Sequence, residues 1–153
     1  MAKKPHIPLY TRLGNVLTLT LMRAGVKLVG PFMFFGSYPM YLFTVRGRKS
    51  GQPRTVVLAI IERNGKHYVG SPYGIVDWVR NLRATGEAIL TRGRRAETVN
   101  ASELPKDEAA LILQEETRSG NPFTHFYGVT ADSSLEEFEC AVVSHPLFVL
   151  ERK

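Results

Sequence analysis

The sequence predicts a single α+β domain in which consecutive hairpins form an antiparallel sheet or a small barrel, with helices at its periphery. Three observations support this fold class. The chain has 153 residues, a length typical of one domain, and 44% of them are hydrophobic. Apolar runs of strand length alternate with turn signals along the chain. No internal repeat or long linker divides the sequence into further domains.

Charge is distributed unevenly along the chain. The net charge is +6, but residues 1–61 contain nine basic and no acidic side chains, so the remainder has a net charge of −3. A segment this basic predicts an anionic partner, such as a phosphorylated ligand, nucleic acid or an anionic membrane surface. The single cysteine, Cys140, excludes an intramolecular disulfide and a cysteine-based zinc site, and the histidines lack metal-ligand spacing. We therefore expect a cytoplasmic protein without a metal, in which Cys140 is a small buried residue.

The N-terminal part is predicted to comprise a flexible basic arm over residues 1–9 and an amphipathic helix over residues 10–29, ahead of a core over residues 38–153. Arg23 and Lys27 interrupt the apolar pattern of this helix too early for a transmembrane span or a signal peptide. Two interpretations remain open. The helix packs on the core of its own domain, or it rests on an anionic membrane on the inner face of the cell.

Turn signals divide the core into predicted strands and helices. We expect strands over residues 41–45, 56–61, 66–70, 88–91, 96–101 and 147–150, and helices over residues 78–84, 106–117 and 135–143. The Asn64-Gly65 pair predicts a tight hairpin. Asp77 is the predicted N-cap of the first of these helices, and Ser133 with Glu136 is the predicted capping box of the last.

Residues 47–54 (GRKSGQPR) form the most informative segment. Three cations, a hydroxyl and two glycines lie here between two predicted strands. Glycines let backbone N–H groups approach a ligand, and the forked guanidinium groups of Arg48 and Arg54 match phosphate or carboxylate. The residue order of a Walker A loop is absent. Chemistry alone leaves two alternatives, an anion-binding loop or a solvated basic turn.

Two blocks of sequence resemble the deazaflavin-dependent nitroreductase family, whose members are actinobacterial proteins that use coenzyme F420. Residues 43–54 (FTVRGRKSGQPR) look like the family signature, and residues 78–84 (WVRNLRA) are similar to its Trp-x-x-Asn-Leu-(Lys/Arg)-Ala block. The hairpin signal at residues 64–65 and the closing residues 145–148 (HPLF) also fit the family pattern. The two blocks at their expected separation make the resemblance specific.

The resemblance implies a split β-barrel related to the FMN-binding barrels of pyridoxamine-phosphate oxidases. It implies an oxidoreductase that transfers a hydride from reduced coenzyme F420 to an electron-poor acceptor, such as a quinone, an enone or a nitro compound. It also implies that Arg48, Lys49 and Ser50 bind the phosphate of the cofactor, with Arg54 as a second anchor. The residues implied to hold the deazaflavin ring are Thr55, Val56, Val57, Leu58, Ala59, Gly70, Ser71, Pro72, Tyr73, Asp77, Trp78, Val79, Arg80 and Asn81.

The cofactor would carry the hydride chemistry, so the protein needs only to orient it, exclude water and donate a proton or hydrogen bond to the acceptor. The candidate donors are Tyr127, Tyr73, Ser71 and His125. Family members that activate nitro prodrugs have a Ser-Lys-Gly-Gly turn where this chain has residues 72–74 (PYG). This departure argues against bulky nitro drugs as acceptors.

Three alternatives compete with an F420-dependent reductase. The same barrel could carry a lipid or cofactor without turnover, or it could use FMN in place of F420. The basic half could also bind nucleic acid, but the lack of a clear stacking motif counts against this. The expected partner is therefore a small-molecule hydride acceptor, and peripheral contact with an anionic membrane remains an open alternative.

Overall fold

The structure is a computed structural model that describes Thr20 and residues 38–153. The predicted arm, the rest of the predicted N-terminal helix and the hydrophobic residues 31–35 lie outside the described part of the chain. Among the described residues, no helix has the length and apolar character needed to cross a membrane.

The described core is an antiparallel sheet with helices around it. The strands are β1 (Met40–Arg46), β2 (Pro53–Ala59), β3 (Ile61–Arg63), β4 (Lys66–Gly70), β5 (Glu87–Arg92), β6 (Arg95–Glu103) and β7 (Leu147–Arg152). The helices are α1 (Asp77–Thr85), α2 (Lys106–Arg118) and α3 (Leu135–Ser144), with a 3-10 helix over Pro122–Tyr127 between α2 and α3. Each strand and helix predicted from residue 41 onward is thus present, except that the strand predicted over residues 56–61 is divided between β2 and β3.

The sheet curls into a half-barrel. Its strand order is β2-β1-β5-β6-β7-β4-β3, so β2 and β3 lie at opposite edges although only Ile60 separates them in sequence. The two edges must therefore come together at Ile60, whose N–H donates to the Pro39 carbonyl at 3.0 Å. The apolar run predicted as one strand over residues 56–61 is divided here, because the chain turns this corner of the barrel with Ile60 completely buried.

Two apolar clusters hold the fold together. The first fills the inside of the half-barrel and includes Phe43, Val69 and Phe148, with Trp78 of α1 packed edge-on against Phe43 at 5.6 Å between ring centroids. The second joins α2 to α3 and includes Leu113 and Phe138. Burial of this much apolar surface is the main force that fixes the helices against the sheet.

Three local predictions are wrong: two helix caps by one residue each, and the burial of one side chain. Asp77 is the first residue of α1, and Val76 is the N-cap. The Asp77 carboxylate still stabilises the helix, because it lies at the positive end of the helix dipole. The capping box uses Ser134 with Glu137, one residue beyond the predicted pair. Cys140 is exposed on α3 rather than buried. Gly86 ends α1 as its C-cap, as the spacing predicts.

Candidate active site

A cavity of about 300 Å³ opens between the two edges of the half-barrel. Its first wall consists of β2, the turn after β4 and the start of α1, and its second wall comes from α2 and the 3-10 helix. The predicted residues in the lining are Val56, Val57, Leu58, Ala59, Gly70, Ser71, Pro72, Tyr73, Asp77, Trp78 and Tyr127. The fold thus brings together segments that are far apart in the sequence.

The first wall presents the exposed edge of β2. Four successive residues, Val56 to Ala59, line the cavity, although neighbouring side chains of a strand point to opposite faces. Both faces contribute because β2 is the last strand at this edge of the described sheet. An edge strand offers backbone N–H and C=O groups to a ligand. Thr55 lies outside the lining, and its hydroxyl contacts that of Thr44 at 2.9 Å.

Gly70 and Tyr127 meet where β4 ends. A Cβ atom on Gly70 would lie 2.2 Å from the Tyr127 hydroxyl oxygen, so only glycine leaves room for the phenol. Tyr127 is 8% exposed, and no hydrogen bond joins its hydroxyl to any described residue. Burial raises the pKa of Tyr127, which keeps the phenol protonated. The cavity therefore contains a buried O–H donor that has no partner in the described part of the chain.

The other predicted donors differ from Tyr127 in their surroundings. Ser71 is 1% exposed, and its hydroxyl already donates to the Gly74 carbonyl within the turn. Tyr73 lines the cavity and packs on Phe126 at 5.0 Å between ring centroids. His125 is exposed and contacts the edge of Phe126. Tyr127 and Tyr73 both line the cavity without a hydrogen bond from the hydroxyl to any described residue, and Tyr127 is the more deeply buried of the two.

The predicted phosphate-binding loop lies next to the cavity mouth. Arg48 donates to Asn81 Oδ1 from a guanidinium nitrogen at 2.8 Å and from its backbone N at 3.2 Å. Its guanidinium also lies 3.4 Å from Asp77, which itself lines the cavity. Ser50, Lys49 and Arg54 are exposed. Lys49 and Arg54 make no ion pair with any described residue. Lys49 and Arg54 are thus exposed cations on the loop that Arg48 connects to the cavity residue Asp77.

The remaining predicted residues of α1 do not line the cavity, apart from Trp78, and one of them, Asn81, supports the loop. Asn81 is 5% exposed and connects α1 to the loop through its bonds to Arg48. Val79 is completely buried in the barrel core, and Arg80 is exposed and lies 3.6 Å from Asp77. Trp78 serves as a packing residue, as expected. Thus α1 fixes the loop from one side and closes the cavity from the other.

Sequence reasoning missed most of the second wall. These residues are Leu113 and Glu116 of α2 with Asn121, Phe123 and Thr124 at the start of the 3-10 helix. Asn121 caps the 3-10 helix, since its Oδ1 accepts from the Phe123 N–H at 2.9 Å. The one usable signal was the Asn-Pro pair at residues 121–122, which predicts a turn but not its position over the cavity.

The sequence matches one protein family over most of its length. Residues 16–135 match the family described as F420H(2)-dependent quinone reductase. The chain belongs to this family. It is therefore an F420H2-dependent reductase, and its cofactor is reduced coenzyme F420. No protein in a search of curated proteins gives a significant match.

Solved structures agree with this family in their fold. An F420-H2-dependent reductase, FDR-A, is 24% identical over 74% of this chain and 94% of its own, with a TM-score of 0.54. A structure described as a domain-swapped dimer is 21% identical over 89% and 95% of the two chains, with a TM-score of 0.55. A putative pyridoxamine 5'-phosphate oxidase from Listeria innocua is 9% identical over 80% and 90%, with a TM-score of 0.52. The predicted split β-barrel is thereby confirmed.

The residues present fit a flat cofactor with an anionic tail. The exposed edge of β2 offers backbone donors and acceptors to a polar ring edge, and the apolar lining suits the ring faces. Lys49 and Arg54 are exposed cations of the kind that would attract a phosphate group. The residues present therefore combine an apolar cavity with a nearby basic loop.

Proposed function

We propose that the protein reduces a small, planar, electron-poor acceptor of the quinone class with a hydride from reduced F420. The observation that carries this proposal is the cavity in the split of the barrel, which has a mostly apolar lining and a buried, unused hydroxyl on Tyr127. A cavity of about 300 Å³ suits flat organic rings better than a bulky drug. Enones and compact nitro compounds are the next acceptor classes to test.

Binding of the cofactor is assigned to two groups of residues. Arg48, Lys49 and Ser50, supported by Arg54, hold the phosphate at the cavity mouth. Backbone groups of β2 and of the turn at residues 70–73 hold the ring edge, and Asn81 keeps Arg48 beside the entrance through its 2.8 Å hydrogen bond. The reduced deazaflavin supplies the hydride when bound.

The second wall acts on the acceptor. Tyr127 donates a hydrogen bond to the acceptor oxygen, where negative charge develops as the hydride arrives. Its raised pKa makes Tyr127 a hydrogen-bond donor rather than a proton source, so water supplies the proton that completes the hydroquinone. Phe123 and Leu113 cover the apolar part of the acceptor and exclude water.

An anaerobic assay with reduced F420 tests this function. We expect loss of reduced F420 on addition of naphthoquinone to depend on the protein, with slower turnover of an enone and a compact nitroarene. Omission of the protein controls for direct reduction of the quinone. Binding of F420 without turnover of any of these acceptors would contradict the proposal and favour a carrier.

Peripheral contact with a membrane is a separate proposal. Residues 1–61 carry a net charge of +9, and such a segment is attracted to anionic lipid. We expect the protein to sediment with anionic vesicles at low salt and to remain free with neutral vesicles. A full-length protein that never sediments with anionic vesicles would contradict this proposal.

A further inference from the structure

A carboxylate lies in the wall of the cavity, where its negative charge is largely removed from water. Glu116 is on α2 and lines the cavity beside Leu113, one turn away on the same helix face. Its side chain is only 9% exposed, whereas that of the adjacent Glu115 is 56% exposed. A buried carboxylate needs donors to remain in the fold.

Three donors hold the Glu116 carboxylate. The Tyr38 hydroxyl donates to Oε2 at 2.7 Å, and the Asn121 side-chain amide donates to the same oxygen at 2.9 Å. The Arg63 guanidinium lies 3.5 Å from Oε1. Burial, with the hydrogen bond to Glu116 as the next cause, raises the pKa of Tyr38, so its O–H remains a donor. Each oxygen of the Glu116 carboxylate therefore has at least one donor.

The Arg63 guanidinium pairs with two carboxylates, those of Glu115 and Glu116. The guanidinium approaches Glu115 to 2.5 Å, closer than its 3.5 Å distance to Glu116. Two carboxylates and one guanidinium leave this cluster with a net charge of −1. Because Glu115 is exposed and Glu116 is not, water screens the first carboxylate much more than the second. The wall that faces the acceptor therefore carries net negative charge.

From this geometry we infer that Glu116 is a specificity-determining residue, whose fixed negative charge selects neutral acceptors over anionic ones. The inference rests on the proposed function, because it requires the acceptor to occupy this cavity. An acceptor that carries a sulfonate or carboxylate would bring a second negative charge into a site of low polarity, and like charges repel strongly there. A neutral quinone meets no such repulsion.

A matched pair of acceptors gives the test. The second-order rate constant kcat/KM is measured for naphthoquinone and for its sulfonate, with reduced F420 and the full-length protein. The quantity compared is the ratio of the sulfonate value to the neutral value. Because every variant is measured with the same two acceptors, the difference between their reduction potentials cancels when the ratios of two variants are compared. The fluorescence of F420 reports in parallel whether each variant binds the cofactor.

Three variants give different expected results. Glu116→Gln removes the charge at nearly constant size, and we expect the ratio to rise about tenfold. Arg63→Gln removes the partial neutralisation of Glu116, and we expect the ratio to fall about threefold. Glu108→Gln is the control: it removes an equal charge from an exposed position on α2 that makes no ion pair with any described residue and does not line the cavity, and we expect a change of less than about twofold.

Each outcome decides the inference. Equal changes for both acceptors in Glu116→Gln would show that Glu116 only shapes the wall, and an effect of the same size in Glu108→Gln would show that the general charge of the surface controls the ratio. Either result overturns the inference. If Glu116→Gln fails to fold, Arg63→Gln decides, because an unchanged or increased ratio contradicts it. Failure of the wild-type protein to reduce naphthoquinone would instead refute the proposed function, and the inference with it.

Discussion

The contact between Gly70 and Tyr127 sets the position of the buried phenol. A methyl group on Gly70 would overlap the Tyr127 oxygen at 2.2 Å, whereas the next atom of the ring, Cζ, is at 3.5 Å. We expect Gly70→Ala to lower the free energy of unfolding by about 1–3 kcal/mol in the wild-type background. We expect a much smaller loss in a Tyr127→Phe background, because the overlapping oxygen is gone. Urea denaturation of the four proteins measures this coupling, and equal losses in both backgrounds would contradict the contact.

Tyr127 also allows stability and catalysis to be separated. Its buried hydroxyl has no hydrogen-bond partner among the described residues, so its removal costs the fold little or stabilises it, by about 1 kcal/mol at most. The same removal takes a donor from the developing oxyanion, and we expect Tyr127→Phe to lower kcat about 10- to 100-fold. Steady-state kinetics, thermal unfolding and F420 titration are the measurements. A variant with wild-type kcat would exclude Tyr127 as the donor.

At the scale of elements, the loop between β1 and β2 is expected to decide cofactor affinity. Arg48→Ala with Lys49→Ala removes two charged partners of the phosphate, each worth about 1.5–3 kcal/mol, so the Kd for F420 should increase by well over tenfold. Circular dichroism should report an unchanged fold.

A control for this prediction lies on the hairpin between β5 and β6. Arg94→Ala with Arg95→Ala removes the same charge from exposed positions away from the cavity lining. We expect the Kd for F420 to change less than about threefold. If both double variants weaken binding equally, net charge rather than the loop controls affinity.

Local signals predicted the elements better than their ends. The capping box was misplaced by one residue because two serines at residues 133–134 and two glutamates at residues 136–137 offer the same spacing twice. The helix α3 starts at Leu135, so Ser134 directly before it is the N-cap. The break at Ile60 was missed because curling of the barrel, not local sequence, turns the chain there. Residues 48 and 81 were predictable because they belong to the two sequence blocks, residues 43–54 and 78–84, that resemble the family.

The second wall of the site could not be predicted for a different reason. Glu116 joins Tyr38 across 78 residues of sequence and Arg63 across 53, and no local pattern encodes such contacts. From the sequence, residue 116 could be placed only on a predicted helix that contains several charged residues. The residues predicted for the first wall came from a resemblance, whereas no family motif covered the residues of the second wall.

For the whole molecule, one buried and two partly buried tyrosines predict a loss of stability in alkali. Burial is the main cause that raises the pKa of Tyr38, Tyr41 and Tyr127. An unfolded chain releases these protons near pH 10, about the usual tyrosine value, while the folded protein retains them. The free energy of unfolding should therefore be unaffected by these groups below about pH 9 and should decrease as pH rises above about 10.

Denaturant titrations across this pH range measure the effect. Tyr127→Phe should reduce the alkaline slope, because one of the protons retained by the folded state is removed. An identical slope in the variant and the wild-type protein would contradict the burial of Tyr127.

The central claim is that this split barrel binds F420 with its tail at the basic loop. The most direct measurement is a fluorescence-quenching titration of the purified protein with coenzyme F420 and, in parallel, with FMN. The account predicts micromolar binding of F420, no measurable binding of FMN, and loss of F420 binding in the Arg48→Ala, Lys49→Ala variant. Preference for FMN, or F420 binding that is unchanged in the variant, would contradict it.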